Sequence, residues 1–203
     1  MSRRKRGFFL IALGLIMTVS AVAIFAAYEF QENTAGENAE LLLNGLREEM
    51  RVRREAAVYD PAQQEQPTPK LPRLTLSGYD LVGILRVPSL ELELPILNEW
   101  SYDLLQISPC RYSGSTADGD LILLGHNYKK HFTPLKQLHS GDTVEFEDVT
   151  GRVYTYTVAM TEVLEKTELE RLTATDYALT LFTCTNGGYS RFVVRCETAK
   201  TPA

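Results

Sequence analysis

An uncharged run of 22 residues near the N-terminus, Gly7–Tyr28, constrains the fold more than any other feature of this sequence. As an α-helix it extends about 33 Å, enough to cross the hydrocarbon core of a bilayer. The basic residues within 1–6 place the N-terminus in the cytoplasm by the positive-inside rule. A cleaved signal peptide is the alternative, although its apolar region usually has only about 7–15 residues. The run therefore predicts a single-pass anchor in the cell membrane, with the remainder of the chain extracytoplasmic.

Two further segments separate this anchor from the strand-rich part of the chain. Glu37–Val58 is rich in helix-forming residues with opposite charges at helical spacing, which predicts a juxtamembrane helix, either a spacer or packed on the next domain. Asp60–Pro72 contains four prolines, which predicts a semi-rigid linker. The predicted division is a cytoplasmic basic tail (1–6), a transmembrane anchor (7–28), a juxtamembrane helix with its linker (29–73) and a catalytic domain (74–203).

From Leu74 onward the sequence changes to short strands separated by turns. Leu81–Pro88 and Leu90–Leu97 alternate apolar and polar residues, as half-buried strands do. Gly119–His126 is a continuous apolar run, as in a strand buried on both faces. The remaining predictions are a hairpin around the turn at 149–151, a short helix within Leu164–Leu172 and two closing strands at 177–184 and 190–197. This pattern predicts a mostly antiparallel barrel or sandwich of about 125 residues.

Charge and cysteine usage exclude several classes of protein. Residues 73–203 carry 12 Lys and Arg against 17 Asp and Glu, whereas nucleic-acid-binding domains are basic. The odd set of Cys110, Cys184 and Cys196 leaves at least one thiol free and excludes a disulfide-rich scaffold. If one disulfide forms, Cys110–Cys196 is the favoured pair, and three reduced thiols are equally compatible with the sequence. The spacing of Cys and His matches no metal-ligand pattern.

Three residues with reactive or charged side chains stand at predicted strand ends. Cys184 ends one apolar strand, His126 ends another, and Arg191 opens the last strand. A thiolate, an imidazole and a guanidinium are sufficient for acyl transfer, as nucleophile, proton carrier and oxyanion partner. Each also has an ordinary structural interpretation, as a packed thiol, a surface histidine and a rim charge. His131 and His139 are weaker candidates, because they lie in a predicted loop.

Strand parity leaves two arginines as candidates for the cation. Arg191, Val193 and Arg195 share one face of the last strand, and the other face is apolar and should point into the core. Both arginines are therefore predicted on the outer, groove side. Spacing alone does not choose between them, although Arg191 is nearer the strand end where Cys184 should lie.

The segment TLFTC, Thr180–Cys184, resembles the TLxTC signature of the sortases, cysteine transpeptidases of Gram-positive cell envelopes. RFVVR, beginning at Arg191, resembles the last strand of that family, and LLGHNY, around His126, resembles its histidine segment. The order His, Cys, Arg also agrees. The resemblance covers roughly 81–197, and a basic, apolar N-terminus is the usual sortase anchor.

The resemblance implies an eight-stranded sortase-type β-barrel that cleaves an LPxTG-like sorting signal through a thioacyl intermediate on Cys184. An amine of a peptidoglycan precursor or a pilin would then accept the acyl group. His126 would be the general acid and base, and Arg191 would bind the substrate carbonyl and the oxyanion. Thr183 is expected to shape the substrate groove, and Asn127 and Tyr128 to line it.

The resemblance does not fix the sortase class. The short connections indicate a small class D-like or class B-like member, and Asp60–Pro61 is not followed by the aromatic residue of a pilin-polymerising lid. No cofactor is expected; calcium use is not decided by the acidic residues Glu145, Glu147, Asp148, Glu162 and Glu165. Two other functions remain as alternatives. One is a cysteine hydrolase of the same fold, and the other is a non-catalytic, anchored barrel that binds envelope components.

Overall fold

The first element of the fold is one continuous helix, α1, which spans Arg3–Tyr59. It belongs to a computed structural model of the protein that describes residues 3–59, 71–174, 176–185 and 187–199. Among the described helices, α1 is long and apolar enough to cross a membrane, and its side chains from Phe8 to Phe25 are largely exposed. Most of the predicted linker Asp60–Pro72 lies outside the described residues, as do Met1, Ser2 and the last four residues.

The rest of the described chain forms a β-barrel with short helical segments. Eight strands close the barrel in the order β2-β3-β4-β5-β8-β9-β7-β6, because β6 also pairs with β2. This confirms the predicted eight-stranded barrel, and a short ninth strand, β1, pairs along the edge of β2. The strands are β1 Leu74–Leu76, β2 Tyr79–Val87, β3 Leu92–Leu97, β4 Cys110–Ser113, β5 Leu121–Gly125, β6 Thr143–Asp148, β7 Val153–Glu165, β8 Leu179–Cys184 and β9 Ser190–Thr198.

Most neighbouring strands are antiparallel, as predicted, but β3 pairs with β4, and β5 with β8, in parallel. The pairing of β5 with β8 brings Gly125 level with Thr183, so the residues that follow these two strands emerge at the same end of the barrel. The antiparallel β9 returns to that end, where Arg191 lies opposite Cys184. Topology alone therefore gathers His126, Cys184 and Arg191 at one rim.

Two apolar layers cover the two faces of the barrel wall. The inner layer fills the barrel and contains Leu121, Leu123 and Leu181. The outer layer contains Ile122, Leu124 and other strand residues, packed beneath α1 and the short helices α2 (Tyr102–Leu105) and α3 (Leu169–Thr173). Because β5 is covered on both faces, its sequence is apolar without alternation. The α1 residues in contact with the barrel recur at helical spacing: Ala35, Ala39, Leu42, Leu43, Leu46 and Met50.

One local prediction needs correction, and the choice left open for the cysteines is resolved. The helix predicted within Leu164–Leu172 is reduced to α3, because β7 continues to Glu165 and keeps its pairing with β9. Cys110 and Cys196 do not form a disulfide: all three cysteines are free thiols. The two belong to different core layers, Cys110 outside the barrel wall and Cys196 inside it.

Candidate active site

His126 follows β5 directly, and its position depends on the glycine before it. A Cβ atom at Gly125 would lie 2.6 Å from the ring of Phe132, so only glycine lets this strand end pack against the buried phenyl ring. The Phe132 backbone N–H donates to the His126 carbonyl oxygen at 3.1 Å. The chain therefore turns back immediately after the strand, and this turn holds the His126 backbone at the rim.

Cys184 and Arg191 face each other across the turn that joins β8 to β9. Gly187 and Gly188 both adopt positive φ, 91° and 73°, which glycine does without strain. The Thr185 N–H donates to the Ser190 carbonyl at 3.0 Å, closing the turn. This tight turn sets Arg191 directly opposite the thiol in the ladder.

The three side chains line a single cleft at this rim of the barrel. His126, Cys184 and Arg191 are all half-buried, so each is accessible from the cleft. The walls are mainly apolar, and a few charged residues also line the cleft. The apolar and aromatic lining residues are Trp100, Tyr102, Leu105, Tyr112, Leu124, Leu164, Leu169, Leu172 and Phe182, and the charged ones are Glu165, Lys166 and Glu168.

The environments of the three thiols differ in a way that separates a reactive cysteine from two structural ones. Burial raises the pKa of Cys110 and of Cys196 to about 12, so both are protonated near neutral pH. All three cysteines lie in the described part of the chain, and among them Cys184 is the one that is half-buried and lines the cleft. Desolvation lowers the pKa of His126 below its ordinary value, so its neutral form is favoured before a negative charge develops nearby.

The contacts of the two arginines resolve the choice that strand parity left open. Arg195 is only 2% exposed and its guanidinium donates to Glu162, to the Leu172 carbonyl and to the Thr180 hydroxyl at 2.9–3.1 Å. In contrast, Arg191 donates to two carbonyls of its own turn, those of Gly188 and Ser190, at 3.1 Å. The Arg195 guanidinium is thus bonded within the protein interior, whereas Arg191 lines the cleft.

The remaining predicted site residues do not line the cleft. Thr183 is fully buried next to Cys184, and its hydroxyl has no hydrogen-bond partner. Asn127 is half-buried beside His126. Tyr128 is buried, which corrects its predicted position in the groove, and its ring stacks on the His126 imidazole with centroids 4.6 Å apart.

The other two histidines and the acidic residues have separate surroundings. His131 is fully buried, with Nε2 3.4 Å from the Ala35 carbonyl oxygen of α1, and His139 is exposed. Glu147 forms ion pairs with Arg54 and Arg86, at 2.8 and 2.6 Å. Within the described ranges, no group of three or more His, Cys, Asp or Glu side chains is arranged to hold a metal ion.

Sequence reasoning missed the aromatic wall of the cleft. Trp100 stacks on Tyr112 with ring centroids 5.6 Å apart, and Tyr112 meets the ring of Phe182 edge-on at 5.3 Å. Trp100 lies in the connection after β3, Tyr112 in β4 and Phe182 in β8. No local pattern links them, because their proximity depends on the pairing of the intervening strands.

Comparison with known proteins identifies the same family. The protein-family model described as the sortase domain matches residues 85–199 of this chain. Sortase C1 from Streptococcus agalactiae is 27% identical, with a TM-score of 0.54 over 64% of this chain and 72% of that chain. Sortase A from Listeria monocytogenes is 26% identical, with a TM-score of 0.52 over 59% of this chain and 88% of that one. The Clostridium perfringens sortase D5 transpeptidase, at 15% identity, shares the fold, with a TM-score of 0.59 over 81% and 99%. No curated protein matches the chain.

Proposed function

Because the chain belongs to the sortase family, we propose that it is a membrane-anchored cysteine transpeptidase that acts on LPxTG-like sorting signals. The observation that carries the proposal is the convergence of a half-exposed thiol, an imidazole and an uncommitted guanidinium on one cleft. Cys184 is the nucleophile, His126 the general acid and base, and Arg191 the partner of the oxyanion.

In the first half of the reaction, the neutral His126 imidazole takes the proton of the Cys184 thiol, and the resulting thiolate attacks the carbonyl carbon of the threonine in the sorting signal. Arg191 lies opposite Cys184 in the ladder, so its guanidinium can donate to the oxygen on which negative charge develops. When the C–N bond breaks, the departing amine takes a proton from the His126 imidazolium. The products are a thioester on Cys184, a neutral imidazole and a released C-terminal peptide.

In the second half, the amine of a peptidoglycan precursor or of a pilin attacks the thioester. The neutral imidazole of His126 accepts the proton that the amine loses, and the C–S bond breaks to restore the thiolate. Burial lowers the pKa of His126, which favours the neutral form that this step needs. Water in place of the amine would give hydrolysis through the same steps.

The walls of the cleft fit the apolar part of such a signal. Trp100, Tyr112 and Phe182 provide an aromatic surface, and Leu169 and Leu172 of α3 provide an aliphatic one. Leucine and proline side chains bury apolar area against both kinds of surface. Thr183 and Asn127, next to the nucleophile and the histidine, are proposed to shape this groove from behind.

The proposed location is the cell membrane, with the N-terminus in the cytoplasm and the barrel outside. The support is the exposed apolar part of α1 and the basic residues before it. In this division the tail is 1–6, the anchor 7–28, the juxtamembrane segment 29–73 and the catalytic domain 74–203. The proposed partners of the protein are sorting-signal proteins held at the same membrane, and the amines to which their acyl groups are transferred.

The test uses the full chain in detergent micelles with a panel of LPxTG-like peptides, with and without triglycine, read by mass spectrometry. Wild type should give a peptide cut after threonine and joined to triglycine, and Cys184→Ala should give none. Cys110→Ala is the matched control, because that thiol is buried outside the cleft. Cleavage without joining at high triglycine would favour the hydrolase, and no product or thioester from any peptide would favour the non-catalytic barrel.

A further inference from the structure

The segment that follows the catalytic strand, His126–His131, is clamped against α1 rather than exposed as an ordinary loop. Tyr128 is buried in this segment and its ring stacks on the His126 imidazole, at 4.6 Å between centroids and 26° between planes. Behind it, Tyr28 of α1 meets the same ring edge-on, with centroids 6.1 Å apart. The imidazole, the Tyr128 ring and the Tyr28 ring thus form a continuous stack from the cleft to the helix.

Two further contacts fix the same segment to α1. The Lys129 backbone N–H donates to the Glu32 carboxylate, which is 4% exposed, and the Lys129 ammonium pairs with Glu29 at 2.9 Å. One turn further along the helix, the His131 Nε2 lies 3.4 Å from the Ala35 carbonyl oxygen. A carbonyl only accepts, so Nε2 carries the proton that makes this bond.

The helix residues involved recur at the spacing of a single helix face. Tyr28, Glu32 and Ala35 stand at i, i+4 and i+7, so they lie above one another on consecutive turns. Tyr28 is also the last residue of the uncharged run, Gly7–Tyr28. The clamp is therefore continuous with the part of α1 proposed to cross the membrane.

We propose that the clamp, formed by Tyr28, Glu32 and Ala35 of α1 against His126–His131, positions the catalytic imidazole through the Tyr128 ring. The proposal rests on the proposed function of His126 and extends it to residues that touch neither substrate nor Cys184. Tyr128 and Tyr28 are positioning residues: they restrict the orientation in which the imidazole exchanges protons with the two amines.

The structural reason is that, among the described residues, the Tyr128 ring is the aromatic group stacked on this imidazole. His126 is half-buried at the mouth of the cleft, and its backbone is fixed through the bond from Phe132. Rotation about its side-chain bonds is opposed by Tyr128, which fills the space on one side of the imidazole. Proton transfer needs donor and acceptor within hydrogen-bond reach, so a freely rotating imidazole would spend less time in a productive position.

The first experiment measures kcat and KM of the full chain in micelles for transpeptidation. Tyr128→Ala should lower kcat about tenfold with little change in KM, because an aromatic stack is worth about that factor and acts on the chemistry rather than on binding. Tyr128→Phe should stay within about twofold of wild type, since the contacts run through the ring. Tyr28→Ala should lower kcat about threefold.

Phe30→Ala is the matched control for Tyr28→Ala. Phe30 is two residues further along the same helix, and it is 72% exposed, away from the barrel. Its removal deletes a similar ring without touching the clamp, so kcat should remain at the wild-type value. Thermal unfolding of each variant shows whether the barrel is intact. Equal kcat values for wild type, Tyr128→Ala and Tyr28→Ala would overturn the proposal.

A second measurement does not need turnover. In the NMR spectrum of the full chain, the imidazole resonances of His126 should shift in Tyr28→Ala and stay in place in Phe30→Ala. The ring contacts join Tyr28 to Tyr128 and Tyr128 to His126, so the Tyr128 ring is the most direct path by which such a shift would be transmitted. Unmoved His126 resonances in Tyr28→Ala would also overturn the proposal. If wild type joins no peptide to an amine but the shift occurs, the proposed function fails and the clamp stands.

Discussion

At one end of the β8–β9 ladder Cys184 faces Arg191 beside the open cleft, and at the other end Thr180 faces Arg195 in the protein interior. All four residues are on the same face of the two strands, because the members of each strand are four positions apart. The two pairs therefore lie in the same two strands and on the same face of the sheet. They differ in the residues that surround that face at each end.

The groups that surround each arginine determine whether its guanidinium is taken up by the fold or is available to a ligand. Near Arg195, the Glu162 carboxylate, the Thr180 hydroxyl and the backbone carbonyls of 171 and 172 accept four hydrogen bonds from the guanidinium, and the residue is 2% exposed. Near Arg191 the cover is absent and the cleft begins. A buried guanidinium whose donors are taken up by the fold is costly to remove, whereas one bonded to carbonyls of its own turn retains donors for a substrate. The same residue type on one strand thus serves structure at one end and is available for chemistry at the other.

The largest expected difference between the two ends is in thiol reactivity. Cys196, near the Arg195 end, is fully buried, and burial raises the pKa of its thiol to about 12, so the thiol is protonated and shielded from reagents near neutral pH. Cys184 is half-buried at the cleft and should therefore react with iodoacetamide faster in the native protein, by a factor on the order of a thousand. Timed alkylation followed by peptide mapping measures both rates, with urea-unfolded protein as the control in which the three thiols react alike. Comparable native rates would contradict the contrast.

The next effect is on stability, at the covered end. Arg195→Met removes the donors to the backbone carbonyls of 171 and 172 and to the Thr180 hydroxyl, whereas Glu162 keeps its ion pair with Arg171. Each buried acceptor left without a donor costs about 1–3 kcal/mol, so the free energy of unfolding should fall by about 2–4 kcal/mol. Urea unfolding followed by tryptophan fluorescence measures the loss. Arg191→Met is the matched control and should cost less than about 1 kcal/mol; equal losses would mean that the two ends are structurally equivalent.

The third effect is on activity, at the open end. Arg191→Gln should lower kcat about 10²–10³-fold, the usual cost of removing one donor to a developing oxyanion. Its unfolding free energy should stay within about 0.5 kcal/mol of wild type, because the side chain bonds only to carbonyls of its own turn. Steady-state transpeptidation and urea unfolding of one preparation separate the two quantities. A variant with wild-type kcat would remove Arg191 from the mechanism.

The sequence predicts the barrel well because most of its strands carry their own pattern. The continuous apolar β5 and the hairpin of β6 and β7 are visible from local periodicity alone. The short strands β1 and β4 are not, since three or four residues are too few to show a period. The end of β7 differs from its sequence prediction for another reason: Leu164–Glu165 favours helix locally, and pairing with β9 overrides that preference.

The site was predictable only in part. His126, Cys184 and Arg191 stand at strand ends in the sequence, and their order matches the family that the chain resembles. The burial of Arg195 depends on Glu162 and on residues 171–172, which are distant from it in the sequence. The packing of Tyr128 depends likewise on Tyr28 of α1. Strand parity fixes the facing of a side chain, but it carries no information on what covers it.

The smallest expected effect compares two buried threonines of β8. The Thr180 hydroxyl accepts a bond from Arg195 at 3.1 Å, whereas the Thr183 hydroxyl has no partner. Valine has nearly the shape of threonine, so Thr180→Val should cost about 1–2 kcal/mol of unfolding free energy. Thr183→Val should be neutral or stabilising by up to about 1 kcal/mol, because it removes a buried polar group that gains nothing in the folded chain.

Urea unfolding of both variants gives the stability contrast, and kcat of Thr183→Val shows what its hydroxyl is for. A variant that is more stable but slower would indicate that the hydroxyl is kept for the substrate at the expense of stability, as functional sites often require. A variant that is equally stable and equally fast would leave Thr183 without a role in the groove. Destabilisation as large as that of Thr180→Val would show that Thr183 has a partner in the folded state, and the two ends of β8 would then differ less than their contacts indicate.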